Sequence, residues 1–130
     1  MSKQVIAVIP AYNEQRSIES SVADAMPHVH GVVVVDDASE DKTAELAHEA
    51  GAHVLRHSVN RGQGAALQTG TQYALRKLEA DVVVHFDADG QMLGSEIQDV
   101  IAPILQGEAD ITLGSRFLNR EAQNIPFARK

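Results

Sequence analysis

Short apolar runs rich in β-branched residues alternate along the chain with amphipathic stretches. The runs predict five strands, over residues 5–9, 32–35, 52–55, 81–86 and 111–113. The first strand is expected to stop at Pro10, because proline has no N–H to donate to a sheet. Four consecutive valines form the second run, which indicates a strand buried on both faces.

Between the strands, apolar residues recur with the spacing of a helix face. The first helix is predicted from Ile18 and Val22 onward, with Asn13 as its N-cap. A short helix over residues 41–50 is expected to end at Gly51, where a C′ glycine belongs. Two further helices are predicted from the stripes Leu67, Thr71, Ala74 and Leu78, and Ile97, Ile101, Ile104 and Leu105.

Strands that alternate with helices predict an α/β fold, with a mostly parallel sheet covered by helices on both faces. The length fits one domain over residues 1–130. In such sheets, ligands bind at the carboxyl ends of the strands. Polar residues follow four predicted strands, at positions 10–14, 36–39, 87–91 and 114–116. The sequence therefore predicts a ligand site at that edge.

Composition and charge narrow the function classes. The net charge of −7 argues against nucleic acid as a partner, since nucleic-acid binding depends on Lys and Arg neutralising phosphates. The chain contains no cysteine, which excludes disulfides and thiolate metal sites. No run approaches the roughly 20 apolar residues that a transmembrane helix needs.

Asp87 and Asp89 directly follow the fourth predicted strand. Residues i and i+2 of an extended chain point to the same side, so the two carboxylates are expected to face one site. Together with the side-chain oxygen of Gln91, they suit Mg²⁺ or Mn²⁺. The alternative is a solvated acidic turn, which a lone Asp-x-Asp often is.

Two other strand ends combine chemistry suited to a nucleoside. Asp36 and Asp37 follow the valine run, and one of them could accept hydrogen bonds from a base or a ribose. Tyr12 and Glu14 place a ring and a carboxylate in one turn after the first strand, which suits stacking on a base. The alternatives are a polar loop with a helix cap at Ser39 or Asp41, and an ordinary turn.

The glycines within residues 60–64 precede the third long helix, where backbone could approach a ligand phosphate. Arg116 is a candidate phosphate clamp, although a lone loop arginine is more often a surface residue. His28 and His30 are interpreted as solvated loop residues, and His85 as a satisfied core or edge histidine.

Together these segments resemble an inverting glycosyltransferase family of GT-A fold that includes the polyprenyl-phosphate sugar synthases, such as dolichyl-phosphate mannose synthase. Five segments carry the resemblance, in the family's order and spacing: Ile9-Pro10-Ala11-Tyr12-Asn13-Glu14, Val35-Asp36-Asp37-Ala38-Ser39, Arg61-Gly62-Gln63-Gly64-Ala65-Ala66, Phe86-Asp87-Ala88-Asp89-Gly90-Gln91 and Gly114-Ser115-Arg116-Phe117. Each segment is weak alone, whereas the ordered set is specific.

The resemblance implies transfer of a sugar from a UDP- or GDP-linked donor, with inversion, to an acceptor such as a polyprenyl phosphate. It implies Mg²⁺ or Mn²⁺ held by Asp87, Asp89 and Gln91, with Asp89 the catalytic residue. The donor would be bound by a larger set that the resemblance supplies: Pro10, Ala11, Tyr12, Glu14, Val35, Asp37, Gly64, Asp87, Ala88, Asp89 and Arg116.

Two departures from the family pattern accompany the resemblance. Met92 stands where many relatives carry His, and relatives usually run well past 200 residues. The resemblance therefore implies that this is the donor half of a longer enzyme, acting in the cytoplasm or at the cytoplasmic face of a membrane. A sheet edge left bare by the missing half is expected to favour self-association.

Four rival interpretations remain at this point. A response-regulator receiver domain and a haloacid-dehalogenase-type phosphatase both place their aspartates after the first strand, unlike this chain. A sugar nucleotidyltransferase would carry a Gly-rich basic loop there. A non-catalytic nucleotide-sugar-binding module is the strongest alternative from another class.

Overall fold

The computed structural model describes residues 4–86, 88 and 111–112. The elements follow in βαβ order: β1 (Val5–Ala11), α1 (Ile18–Ala25), a 3₁₀ turn (Met26–His28), β2 (Gly31–Asp36), α2 (Thr43–Glu49), β3 (His53–Arg56), α3 (Gln63–Arg76), β4 (Val82–His85) and β5 (Ile111–Thr112). The predicted helix around Ile97 to Leu105 lies outside the described residues. None of the helices within them is long and apolar enough to cross a bilayer.

The strands form one five-stranded sheet in the order β3-β2-β1-β4-β5. All four pairings are parallel, which confirms the predicted α/β class. β2 and β3 lie on one side of β1, whereas β4 and β5 lie on the other. The direction in which the chain adds strands to the sheet therefore changes between β1 and β4. Ligands of open α/β sheets bind at such a switch point, beyond the carboxyl ends of the strands.

Alternating residues of each strand face opposite sides of the sheet, and both sides are covered. One apolar cluster joins α1 and α2 to residues such as Ala7, Ile9 and Val34. The other joins α3 to Val8, Val35 and their neighbours. Burial on both faces explains why β2 is a continuous valine run rather than an alternating one.

Pro10 lies within β1, which continues to Ala11 rather than stopping at Pro10 as predicted. The β4 partner of β1 ends at His85, paired with Val8, whereas the β2 partner continues alongside Pro10. The Val8 carbonyl accepts from the next β4-side residue, Phe86, and Ala11 accepts from the β2 side. Successive residues of a strand direct their backbone N and C=O groups to alternate sides, so the N of Pro10 points, like that of Val8, toward β4, which has already ended. The missing N–H of Pro10 therefore costs no hydrogen bond of the sheet.

The first helix begins at Ile18, where the apolar stripe predicted it, but its cap is a different residue. α1 starts at Ile18 after Ser17, so Asn13 is not its N-cap. Asn13 instead has φ 53° and uses its side-chain oxygen to accept the Glu40 N–H. The two other helix predictions that fall on described residues hold within a few residues, and Gly51 adopts φ 105° after α2 as a C′ glycine does.

Three consecutive residues of α3, Thr69 to Thr71, hold the helix close to the sheet. Thr69 and Thr71 are hydrogen-bonded to His57 and His85, which follow β3 and end β4 respectively. Gly70 lies between them, and a Cβ on it would come within 2.4 Å of Val8 Cγ1. The backbone of α3 therefore approaches the sheet as closely as a glycine permits. The predicted stripe Leu67–Thr71–Ala74–Leu78 only partly describes this face, because Ala66 and Gly70 are also buried.

Candidate active site

The turn after β1 presents the first group of predicted donor-binding residues at the carboxyl edge. Tyr12 is 44% exposed, so its ring is available to a ligand. Glu14 is half-buried, and its Oε2 lies 3.1 Å from Ser17 Oγ. Ala11 points into the core at 4% exposed, and Pro10 is half-buried above it. Tyr12 and Glu14 are thus the accessible members of this group.

Reciprocal hydrogen bonds join the loop after β1 to the loop after β2. Asn13 N–H donates to Ser39 Oγ at 2.8 Å, and its own side chain accepts from Glu40 N–H at 2.9 Å. Glu14 N–H donates to Thr43 Oγ1 at 2.9 Å. This pairing holds the Tyr12 turn against the end of β2 and places the two loops side by side.

Asp36 and Asp37 are both buried, and they point to different partners. Asp36 caps the following turn by accepting the Ser39 N–H at 3.1 Å, and it lies 3.4 Å from Arg56 Nε. Asp37 accepts the backbone N–H groups of Arg61 and Gly62 at 2.8 and 2.7 Å. The loop that enters α3 is therefore tied to the end of β2.

Asp37 also contacts His57, whose Nδ1 lies 2.7 Å from Asp37 Oδ1. Burial raises the pKa of the Asp37 carboxyl, but the hydrogen bonds from Arg61, His57 and Gly62 together outweigh burial and hold the pKa below its usual value. The carboxyl is consequently ionised at neutral pH. Among the described residues, three donors use Asp37, two on Oδ1 and one on Oδ2, so Oδ2 accepts a single hydrogen bond from this part of the chain.

Val35 and Gly64 are placed very differently from each other. Val35 is fully buried and packs beneath α3, so its side chain does not reach the carboxyl-edge surface. A donor contact from this position is left to the backbone. Gly64 is exposed in the first turn of α3, with open space where a Cβ would lie. The α3 entrance can therefore approach a ligand closely.

Ala88 is anchored at the switch point by two serines of the α1 region. Its carbonyl accepts from Ser17 Oγ at 2.5 Å and from Ser21 Oγ at 3.3 Å, and its side chain is 4% exposed in the core. Ala88 is thus fixed against the start of α1. The signal for Ser21 was present in the sequence, because it is a polar residue on the buried stripe of α1.

The remaining predicted site residues, Asp87, Asp89, Gln91 and Arg116, lie outside the described residues. Among residues 4–86 and 88, no three His, Asp or Glu side chains form a group that could hold a metal ion. The predicted metal site thus depends on the residues that flank Ala88 in sequence, and it stays a prediction.

The histidines divide into loop and core residues. His30 is exposed but is not only solvated, since its Nδ1 accepts the Val5 N–H at 2.9 Å. His85 is buried, as interpreted from the sequence, and burial lowers its pKa to about 4. His57 was not singled out by the sequence, although it follows a strand end as the other site residues do.

The chain was compared with known families and proteins. Residues 6–127 match glycosyl transferase family 2. One relative is the UDP-N-acetylglucosamine–dolichyl-phosphate N-acetylglucosaminyltransferase of Methanococcus voltae, 34% identical over 98% of this chain and 58% of its own length. Another is the polyprenol monophosphomannose synthase of Mycolicibacterium smegmatis, 33% identical over 98% of this chain and 51% of its own. The chain spans about half the length of these curated relatives.

Solved structures agree with the sequence comparison. Glucosyl-3-phosphoglycerate synthase from Mycobacterium tuberculosis, crystallised with Mn²⁺, UDP and glucosyl-3-phosphoglycerate, superposes with a TM-score of 0.67 at 27% identity. The match covers 82% of this chain and 41% of that one. The same enzyme has been crystallised with Mg²⁺ and UDP. With its parallel sheet and its loops at the switch point, this chain belongs to glycosyl transferase family 2 and has the GT-A fold.

Proposed function

We propose that this chain binds a UDP- or GDP-linked sugar with Mg²⁺ or Mn²⁺ and forms the donor side of an inverting glycosyltransferase. One observation carries the proposal: the loops after β1, β2 and β4 meet at the switch point and are fixed there by hydrogen bonds. They carry the Tyr12 turn, Asp37 and Ala88, which are segments of the family pattern found in the sequence.

The nucleoside would lie between the Tyr12 turn and the end of β2. The exposed ring of Tyr12 supplies an apolar face for a base, and Asp37 Oδ2, which accepts one hydrogen bond from the described residues, can accept one N–H from it. The glycines at the α3 entrance leave room for the diphosphate. UDP is the first candidate nucleotide, because the solved relatives were crystallised with it.

The divalent cation would be held by Asp87, Asp89 and Gln91, whose side chains offer only oxygen ligands. Oxygen ligands of this type suit Mg²⁺ and Mn²⁺. Ala88 lies between the two aspartates in sequence and is anchored by Ser17 and Ser21, so this one position is fixed beside α1. A bound cation would stabilise the negative charge that develops on the leaving diphosphate.

The acceptor is proposed from the relatives. Their names give dolichyl phosphate and polyprenol monophosphomannose as acceptor and product, so a polyprenyl phosphate is the first acceptor to test. Since such a phosphate is a membrane lipid, transfer would take place at a membrane surface, which we propose to be its cytoplasmic face. Arg116 would contact a phosphate of the donor or the acceptor.

Calorimetry tests the donor proposal directly. UDP, GDP, CDP and dTDP are titrated into the protein with Mn²⁺ and again with EDTA, and Asp89→Asn serves as the matched variant. We expect at least one nucleoside diphosphate to bind with Mn²⁺, and its affinity to fall about 10-fold or more in EDTA and in the variant. Equal binding in Mn²⁺ and EDTA would remove the metal from the proposal, and no binding would remove the donor site.

A second candidate is a nucleotide-sugar-binding module without transfer activity. It is favoured by the concentration of the described site residues in the loops proposed to bind the donor. A transfer assay with labelled nucleotide sugar and a polyprenyl phosphate distinguishes the two. Turnover by this chain supports the transferase, whereas donor binding without product supports the binding module.

A further inference from the structure

His57 lies buried at the end of β3, with a hydrogen-bond partner on each ring nitrogen. Its Nδ1 is 2.7 Å from Asp37 Oδ1, and its Nε2 is 2.9 Å from Thr69 Oγ1 of α3. The side chains of His57 and Asp37 are only 7% and 5% exposed. The imidazole therefore connects the end of β2 to the middle of α3 through the interior of the protein.

The direction of these bonds follows from the chemistry of the groups. An ionised carboxylate can only accept, so His57 Nδ1 donates to Asp37. The hydroxyl of Thr69 can donate or accept and so satisfies Nε2. The backbone N–H of His57 donates to the Asp36 carbonyl at 2.9 Å, which fixes the chain below the ring. Both ring nitrogens and the backbone N–H of His57 are thus hydrogen-bonded.

The carboxylate that His57 contacts holds the loop before α3. Asp37 accepts the consecutive N–H groups of Arg61 and Gly62, one on each carboxylate oxygen. Gly62 has φ 98°, in the left-handed region that favours glycine, so this peptide arrangement is specific. The χ2 torsion of an aspartate has broad minima, and a bond from His57 restricts its rotation.

We propose that His57 is a positioning residue for donor binding, which orients Asp37 so that its carboxylate holds the Arg61–Gly62 peptides at the entrance to α3. The inference rests on the proposed function, in which this entrance faces the donor diphosphate. It assigns to His57 no contact with the donor or the acceptor. Its effect reaches the nucleotide through the carboxylate and the loop, and it is therefore separable from the metal site.

Two amide substitutions separate the two bonds of the ring. The amide nitrogen in His57→Asn can take the place of Nδ1 and donate to Asp37, whereas that in His57→Gln corresponds to Nε2. We expect H57N to bind the nucleoside diphosphate within about 3-fold of the parent. H57Q and H57L should lose about 10-fold, the lower end of what loss of an orienting group costs. His53→Asn, an exposed change in β3 four residues before His57, is the matched control and should bind as the parent does.

Amide hydrogen exchange without nucleotide provides a second, independent measurement. The Arg61 and Gly62 amides should exchange faster in H57Q and H57L than in the parent, and at the parental rate in H57N. If H57L does not fold, the Asn and Gln pair still decides. Equal exchange and equal affinity in H57N and H57Q would overturn the positioning role. Failure of the parent to bind any nucleotide would instead defeat the proposed donor site, and the exchange result would still test His57.

Discussion

Asp37 and Asp41 both collect hydrogen bonds from loops at the carboxyl edge, but their surroundings differ. Asp41 is half-buried and accepts from Gln15 N–H at 3.2 Å and from Thr43 N–H at 3.0 Å, so it joins the β1 loop to the start of α2. Asp37 is 4% exposed and accepts the two peptides before α3 at 2.7 and 2.8 Å.

The comparison shows how exposure sets the cost of losing a bond. For each carboxyl, burial raises the pKa, and hydrogen bonds outweigh burial and lower it. At the Asp41 junction, water can replace a lost partner, as it does for exposed polar groups. At the Asp37 junction, a lost partner leaves a buried donor or acceptor unsatisfied, which costs far more. The hydrogen bonds of Thr69 and Thr71 with His57 and His85 extend this buried set of contacts from the end of β3 to the end of β4.

The largest effect is expected where α3 touches the sheet. A Cβ at Gly70 would lie 2.4 Å from Val8 Cγ1 and 2.9 Å from Val35 Cγ2, so Gly70→Ala must displace the helix or the strands. We expect a loss of about 3 kcal/mol in the free energy of unfolding. Gly64→Ala is the control, because its Cβ meets open space and should gain up to about 1 kcal/mol. Urea titration of both variants measures this, and equal stabilities would contradict the close approach.

Protonation of His85 should make the free energy of unfolding depend on pH, because His85 lies in the buried contact between α3 and the sheet. Burial holds its pKa at about 4, below the ordinary value of about 6.5. The unfolded chain takes up this proton first, so stability should be complete above about pH 6.5 and should fall between there and about pH 4. The loss should approach about 3 kcal/mol, since a tenfold change in proton affinity is worth about 1.4 kcal/mol.

His85→Gln provides the control for this pH dependence, because an amide can still bond Thr71 and does not titrate in this range. Urea unfolding of the parent and the variant at several pH values between 7 and 4 measures the difference. If the stability of the parent changed with pH in parallel with that of H85Q, the contact between α3 and the sheet would be accessible to water. That result would weaken the contrast drawn between the surroundings of Asp37 and Asp41.

Replacing each aspartate by asparagine compares the junctions directly. Asp37→Asn should cost about 2 kcal/mol, because it weakens buried bonds to a charged group. Asp41→Asn should cost about 1 kcal/mol, as loss of an exposed helix-end contact does. Thermal and urea unfolding at pH 7 measure both values. A larger loss for D41N would reverse the comparison.

The Asp37 difference should also depend on pH. A carboxyl whose folded pKa lies below its unfolded value near 3.9 contributes stability above that value and loses it as pH falls through the folded pKa. The gap between the parent and D37N should therefore be constant from pH 7 to about 5 and shrink below about pH 4. A gap that persists unchanged at pH 2 would indicate that the charge of Asp37 does not stabilise the fold.

The smallest effect should come from a substitution in the loop after β2. Ala38 has φ 64°, in the left-handed region that disfavours residues with a Cβ. Ala38→Gly should relieve this strain and raise the free energy of unfolding by about 1 kcal/mol or less, because the added freedom of the unfolded chain offsets part of the gain. Differential scanning calorimetry would detect it as a small rise in Tm. A destabilised variant would indicate that the Ala38 methyl, half-buried, contributes packing instead.

Much of the fold was predictable because its signals are local. A valine run, a helical stripe and a glycine after α2 each depend on neighbours within about one turn or one strand. The Pro10 prediction failed because the cost of a missing N–H depends on where the neighbouring strand ends. Asn13 failed as a cap because its side chain found a partner in another loop.

The sequence by itself determined the α/β class, the family, and which strand ends carry polar residues, since these follow from periodicity and ordered motifs. Only the tertiary structure decided that Asp37 holds the α3 entrance through His57, that Ser17 and Ser21 anchor Ala88, and that Gly70 contacts the sheet. These contacts join residues 20 to 71 positions apart along the chain, including those of Gly70 with Val8 and Val35. Strand register and helix approach bring such residues together, and no local pattern encodes either.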